Sequence, residues 1–116
     1  MSKILMTDRL RAVVYSVATL ENSTEIAPEG MGCYLVIHGE EVLYAGKAEE
    51  GLKKRFQSYY SGNSTGYPSG KKVYQYRDEL IVKWFELETK EDCQEFEAGL
   101  IDEYDPPWNE RSGWGS

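Results

Sequence analysis

The residues best suited to chemistry lie in one stretch, "GCYLVIHGEEVLYAGKAEEGLKKRFQSYYSG", from Gly32 to Gly62. It sets Tyr34 and Tyr44 in two apolar runs and follows them with Lys53, Lys54, Arg55 and Tyr59. Strand alternation puts Tyr34 on one face with Val36, and Tyr44 on one face with Val42. If the runs pair regularly, both phenols emerge on the same sheet surface; otherwise they are ordinary strand tyrosines with hydroxyls at the edge. Arg55 and Tyr59 stand four residues apart, on one helix face, where Tyr59 either reaches a site or packs the core. Other catalytic schemes lack parts. His38 is the only histidine, so Cys-His, Ser-His and histidine-metal arrangements cannot be assembled. The glycines of "SGNSTGYPSGKK" (61–72) fail as a phosphate-cradling Walker loop, with Thr65 where a glycine belongs and Lys72 where Ser or Thr belongs.

Net charge is −7, which argues against a generic nucleic-acid binder, but the charge is unevenly spread. From Lys53 to Lys83 there are seven bases (Lys53, Lys54, Arg55, Lys71, Lys72, Arg77, Lys83) against two acids. From Glu86 to Glu110 there are ten acids and one base. Such polarity is either two solvated faces or a basic binding face on an acidic domain. Cys33 and Cys93 have neither metal-ligand spacing nor the density of a disulfide scaffold, and are expected to be reduced and buried. No apolar run approaches the ~20 residues of a membrane span, and Asp8, Arg9 and Arg11 interrupt any signal-like core, so a cytoplasmic, unexported protein is expected.

The elements that must hold these residues follow from pattern. At 116 residues one domain is the default. Leu10, Val13, Val14 and Val17 fit a helix over Thr7–Leu20 with Thr7 or Asp8 as cap, although "AVVYSV" also suits a strand. Residues 21–31 read as a linking loop. "CYLVIH" and "EVLYAG" form a hairpin turning at Gly39. Leu52, Phe56 and Tyr59 mark a helix over Glu49–Tyr60, and residues 61–72 a polar loop. "ELIVKWFEL" (79–87) is the third strand. A helix follows from Thr89, capped in a box-like pattern with Asp92, lined by Cys93, Phe96 and Leu100, and stopped by Pro106 and Pro107.

"GCY", nine residues, "YAG", eight residues, Arg55, then Glu97 in "EAGLI" and Asn109 in "PPWN" together resemble the GIY-YIG nuclease domain, over about two thirds of the chain. Within that superfamily, "YAGKAEEGLKKRFQSYY" and "EAGLIDEYDPPWN" are most similar to the N-terminal incision domain of the bacterial excision-repair nuclease. Cys33 and Ala45 replace the motif's central aliphatic residues, at positions expected to face the core.

The resemblance implies an α+β fold with a small mixed three-stranded sheet flanked by helices. Residues 1–31 would be an N-terminal extension packing on the domain, 32–110 the nuclease-like domain and 111–116 a tail. Glu97 takes the place of the family's metal-ligating glutamate, for Mg²⁺ (or Mn²⁺), which a single carboxylate completed by waters and phosphate oxygens suits. Arg55 takes the place of the catalytic arginine, able to donate two hydrogen bonds to a phosphate. Tyr34 and Tyr44 are the motif tyrosines, one of which orients or deprotonates the attacking water; a free phenol titrates near ~10, so a base role would require help. Lys47, Lys53, Lys54, Tyr59, Lys71 and Lys72 are candidate substrate contacts. Gly32 and Gly46 would allow close backbone approach, and Asn109 would tie the loop. The implied activity is metal-dependent hydrolysis of a phosphodiester in DNA, with RNA as the alternative polymer, by one metal and therefore one strand per event. A non-cleaving nucleic-acid- or protein-binding module and an acidic decoy are the rival readings. The acidic balance adds the expectation of a homodimer or a partner protein that supplies targeting.

Overall fold

The computed structural model describes residues 14–109. Strands β1 (Tyr15–Thr19), β2 (Gly32–His38), β3 (Glu41–Ala48) and β4 (Ile81–Glu86) make one sheet in the order β1-β4-β2-β3. Every pairing is antiparallel. The α+β architecture is as expected, but the sheet has four strands rather than three and is antiparallel rather than mixed. The added strand is β1, inside the segment whose spacing suggested a helix over Thr7–Leu20. Residues 1–13, with the proposed caps Thr7 and Asp8, lie outside the described residues, as do Glu110 and the tail 111–116.

β2, one of the two interior strands with β4, is buried along most of its length, which is why "CYLVI" reads as an unbroken apolar run. Its two faces feed two cores. Tyr34 and Val36 join Val82, Trp84, Leu52, Phe56 and Tyr59 on one side, while Cys33 and Leu35 join Ala45, Phe85, Cys93, Phe96 and Leu100 on the other. Large side chains such as Phe56 and Phe96, both fully buried, contribute about 1.5–3 kcal/mol each by leaving water. The hairpin turns at Gly39, whose φ of +64° lies in the left-handed region. A bulge interrupts it: Val36 pairs with Tyr44, but Ile37 pairs with Val42, leaving Leu43 over. Val42 is thereby moved to the face opposite Tyr44, correcting the shared face that regular alternation implies. Tyr34 and Tyr44 stay on one surface because the bulge lies beyond both.

Among the described residues, four α-helices cover the sheet. Helix α1 (Leu20–Ile26) replaces most of the expected 21–31 loop; Thr19 Oγ1 accepts from the Asn22 amide at 3.1 Å, and Leu20 and Ser23 are buried. Helix α2 (Leu52–Ser61) buries Leu52, Phe56 and Tyr59. Its first amides lack a side-chain cap and donate instead to the 28–30 loop, Leu52 N to Gly30 O and Lys53 N to Pro28 O, both at 2.9 Å. Helix α3 (Pro68–Gln75) occupies part of the expected 61–72 loop, with Pro68 in the first turn where its missing N–H costs nothing. Helix α4 (Lys90–Tyr104) begins at Thr89, whose Oγ1 accepts from the Asp92 amide at 3.0 Å, and buries Cys93, Phe96 and Leu100 against the face opposite α2.

Candidate active site

The centre of the site is a phenol with no access to water. Tyr34 is fully buried, its ring edge-on to Phe56 at 5.4 Å and to Tyr59 at 6.0 Å. It lies across Gly46, its partner on β3. A Cβ at position 46 would stand 2.6 Å from Tyr34 Oη and 2.9 Å from Tyr44 Cε2, so only glycine leaves room for both rings. Gly32 is similarly closed, with the Phe85 carbonyl oxygen 2.1 Å from where a Cβ would be.

Helix α2 brings its polar partners. Tyr34 Oη and Tyr59 Oη share a hydrogen bond of 2.6 Å, and Arg55 Nη1 donates to Tyr34 Oη at 3.3 Å. The Arg55 guanidinium also lies 6.0 Å from the centre of the Tyr59 ring. Burial above all, with the neighbouring phenols adding, pushes the Tyr34 hydroxyl well above the usual tyrosine range and that of Tyr59 to about 12. Both remain neutral near pH 7, and Tyr34 holds the arginine by hydrogen bonding while Tyr59 bonds Tyr34. Tyr44, whose ring is 6.2 Å from that of Tyr34, is only partly buried. With Arg55, Lys54 and Tyr59 it lines a cleft of about 420 Å³.

Across the end of β3, the last helix supplies Glu97. Its carboxyl is half-buried and titrates above the ordinary carboxylate range because burial outweighs the attraction of Lys47; Glu49 adds to the rise and Arg55 opposes it. Lys47 Nζ pairs with Glu49 at 3.2 Å, and its pKa is raised chiefly by that hydrogen bond. Glu97 is within the electrostatic reach of Arg55 and Lys47, yet no hydrogen bond joins it to Arg55 or to a motif phenol among the described residues. No group of three or more His, Cys, Asp or Glu gathers there either. That donor set fits a hard, largely hydrated cation held by one carboxylate, and does not fit zinc.

Asn109 secures the strand that carries Tyr44. Its Oδ1 accepts from the Ala45 amide at 2.9 Å and its Nδ2 donates to the Ala45 carbonyl at 2.8 Å, so one side chain completes both backbone groups on the open edge of β3. Trp108 N donates to Leu43 O beside it at 2.8 Å.

The lysines named from sequence disperse. Lys54 lines the cleft and pairs with exposed Glu50 at 3.6 Å. Lys53 lines a separate depression with Glu29 and Gln57, Lys71 is exposed on α3, and Lys72 lies 5.9 Å over the Trp108 ring in another cavity. Sequence reasoning missed Asn63, Ser64 and Tyr67 in the cleft wall, because 61–72 read as a polar loop, and Ser58, a small helix residue with no motif to mark it. It also missed Glu49, whose only signal is its position two residues after Lys47.

Fold and side chains together define a GIY-YIG-type endonuclease domain, and the chain belongs to that family: the pattern of the GIY-YIG catalytic domain matches residues 30–111. By sequence the chain is similar to UvrABC system protein C. That of Mycoplasmoides gallisepticum is 30% identical over 92 residues and that of Lactobacillus helveticus 34% over 92 residues, covering 78% of this chain in each case. The chain spans 14% of the length of either relative. Among solved structures, the GIY-YIG N-terminal endonuclease domain of UvrC from Thermotoga maritima, in a point-mutant form bound to its catalytic divalent cation, superposes with a TM-score of 0.64 at 25% identity, over 79% of this chain and 96% of that one. The magnesium-bound form of the same domain shares the fold at 24% identity and a TM-score of 0.64, over 78% and 96%.

Proposed function

We propose that this domain is a Mg²⁺-dependent DNA endonuclease that hydrolyses one phosphodiester bond per event. The observation that carries the reading is the Arg55–Tyr34–Tyr59 hydrogen-bonded group beside a cleft, with the Glu97 carboxyl inside the field of the same arginine. Glu97 would hold the cation, Mg²⁺ or Mn²⁺, which when bound supplies Lewis-acid polarisation of a phosphate oxygen.

The chain's own groups do the rest. One Arg55 N–H is committed to Tyr34, which fixes the guanidinium and leaves its other donors for the phosphate, where they stabilise charge that grows as a water oxygen bonds to phosphorus. Tyr34 is closed off from solvent and serves as a positioning residue. Tyr44 is the motif phenol that lines the cleft, which supports giving it, rather than Tyr34, the role of orienting the water. As the P–O bond to the leaving oxygen breaks, that oxygen gains a proton, and the products carry one hydroxyl and one phosphate end. Tyr59, Lys47 and Lys54 border this chemistry, while Lys53, Lys71 and Lys72 lie further out along the DNA backbone. Gly46, Gly32 and Asn109 hold the frame. Of the proposed N-terminal extension, the described residues 14–31 add β1 to the sheet and pack α1 on the domain, and a second copy or a partner protein would supply targeting. Two unpaired buried thiols support a cytoplasmic setting.

The test is nicking of supercoiled plasmid with and without Mg²⁺. Wild type should nick only with the cation, and Glu97→Gln and Arg55→Ala should each lose about 10²-fold or more. Unchanged nicking in both variants would overturn the reading. So would salt-sensitive DNA binding by wild type with no cleavage, which is the behaviour of a binding module.

A further inference from the structure

The cleft has a wall that none of the motif residues explains. Tyr67 stands on it with 72% of its surface exposed, although it shares the cleft with Tyr44, Arg55 and Tyr59. Among the described residues no ring stacks on it and no side chain hydrogen-bonds its phenol. A large ring left bare is costly to solvate, and here its backbone is held firmly. Tyr67 N donates to Ser64 O at 3.2 Å, and Lys71 N donates to Tyr67 O at 2.9 Å in the first turn of α3. Ser64 is itself fixed: its Oγ bonds Ser58 Oγ at 2.7 Å, and its carbonyl oxygen fills the space where a Cβ at Gly70 would be, at 1.9 Å. Pro68 limits the following φ. An exposed aromatic ring on a fixed stretch of backbone beside Arg55 and Lys54, with the exposed Lys71 four residues on, is the combination that binds a nucleobase by its π-face while cations hold the adjoining phosphates.

We propose that Tyr67 is a stacking platform for an unpaired base next to the scissile phosphate, and that it makes the domain prefer locally melted or single-stranded DNA over intact duplex. The geometry of DNA supplies the preference. In a paired helix both faces of each base are covered by neighbours, so a ring on the cleft wall meets a free base face only where the stack is open. This rests on the endonuclease reading only for the identity of the polymer in the cleft.

The experiment measures binding by fluorescence anisotropy, with the full chain in EDTA so that nothing is cut. The probes are a fluorescein-labelled duplex and the same duplex with a short central bubble. Wild type should bind the bubble more tightly. Tyr67→Ala should lower the bubble-to-duplex affinity ratio by roughly 5- to 150-fold, the range that loss of one base–aromatic stack produces, and Tyr67→Phe should keep the ratio. Absence of a bubble preference in wild type, an unchanged ratio in Tyr67→Ala, or an equal loss on both probes would overturn the proposal. Plasmid nicking in parallel separates the two readings. A ratio that responds to Tyr67→Ala without any Mg²⁺-dependent nicking upholds the platform and removes the nuclease; nicking with an unresponsive ratio does the reverse.

Discussion

Replacing Tyr34 and Tyr59 by phenylalanine, singly and together, measures how the site is held. Both rings are all but inaccessible, at 0% and 3% exposure, so each substitution keeps the packing and removes one hydroxyl. Tyr34→Phe breaks the 2.6 Å bond, strands the Tyr59 hydroxyl and takes the acceptor from Arg55 Nη1. A buried polar group left without a partner costs about 1–3 kcal/mol, so the loss should fall in that range. Tyr59→Phe should cost less, about 1 kcal/mol, because Tyr34 Oη still accepts from Arg55. In the double variant no hydroxyl is stranded, and its cost should be close to that of Tyr34→Phe alone, a non-additivity of about 1 kcal/mol. Urea denaturation reads the three values directly, and for a domain of this size each kcal/mol also moves the melting temperature by roughly 4 °C or more. Additivity within about 0.3–0.5 kcal/mol would refute the shared hydrogen bond as the element that couples α2 to β2.

Gly46→Ala should destabilise by about 1–3 kcal/mol, since the new methyl meets the Tyr34 phenol, whereas Gly30→Ala, with nothing within 4 Å, should be close to neutral; thermal melts of the two decide it. Asn109→Ala leaves the N–H and C=O of Ala45 without their side-chain partner, so about 2 kcal/mol should be lost and hydrogen exchange at the Ala45 amide should quicken; slow exchange in the variant would count against the tie. For Glu97 the folded pKa is raised by burial, so its stabilising contribution is present below the unfolded carboxylate value near ~4.3 and is lost as pH rises through the folded one. Glu97→Gln should therefore melt higher than wild type at pH 7 in metal-free buffer, with the gain vanishing in acid, and added Mg²⁺ should raise the melting temperature of wild type alone. Equal pH profiles for the two proteins would contradict the shift.

The parts of the fold legible in sequence are those fixed by local pattern. The hairpin, α2, β4 and α4 announce themselves through alternation, through Leu52, Phe56 and Tyr59, and through the Thr89 cap. β1 is only half legible: "AVVYSV" suits a strand as well as a helix, and an edge strand whose Tyr15 and Val17 remain exposed carries no alternation to decide it, because its existence depends on distant pairing with β4. α3 was hidden by Gly, Ser and Pro, residues of turns; it is held by tertiary contacts, Val73 in the core and Gly70 against Ser64. The bulge at Leu43 cannot be seen either, since Val42 and Leu43 are both apolar and one residue of slip leaves the composition unchanged. In the site, residue types and order were readable from the motif. That Tyr34 is sealed while Tyr44 faces the cleft depends on how α2 crosses the sheet, which no local spacing encodes.

The most direct measurement is a crystal structure of the protein with Mn²⁺ and a short DNA carrying a non-hydrolysable linkage, read by anomalous scattering. A manganese peak on the Glu97 carboxyl, with a backbone phosphate hydrogen-bonded to Arg55 on the same side, is the predicted result. A cation bound elsewhere, or DNA seated away from Arg55 and Tyr44, would contradict the account.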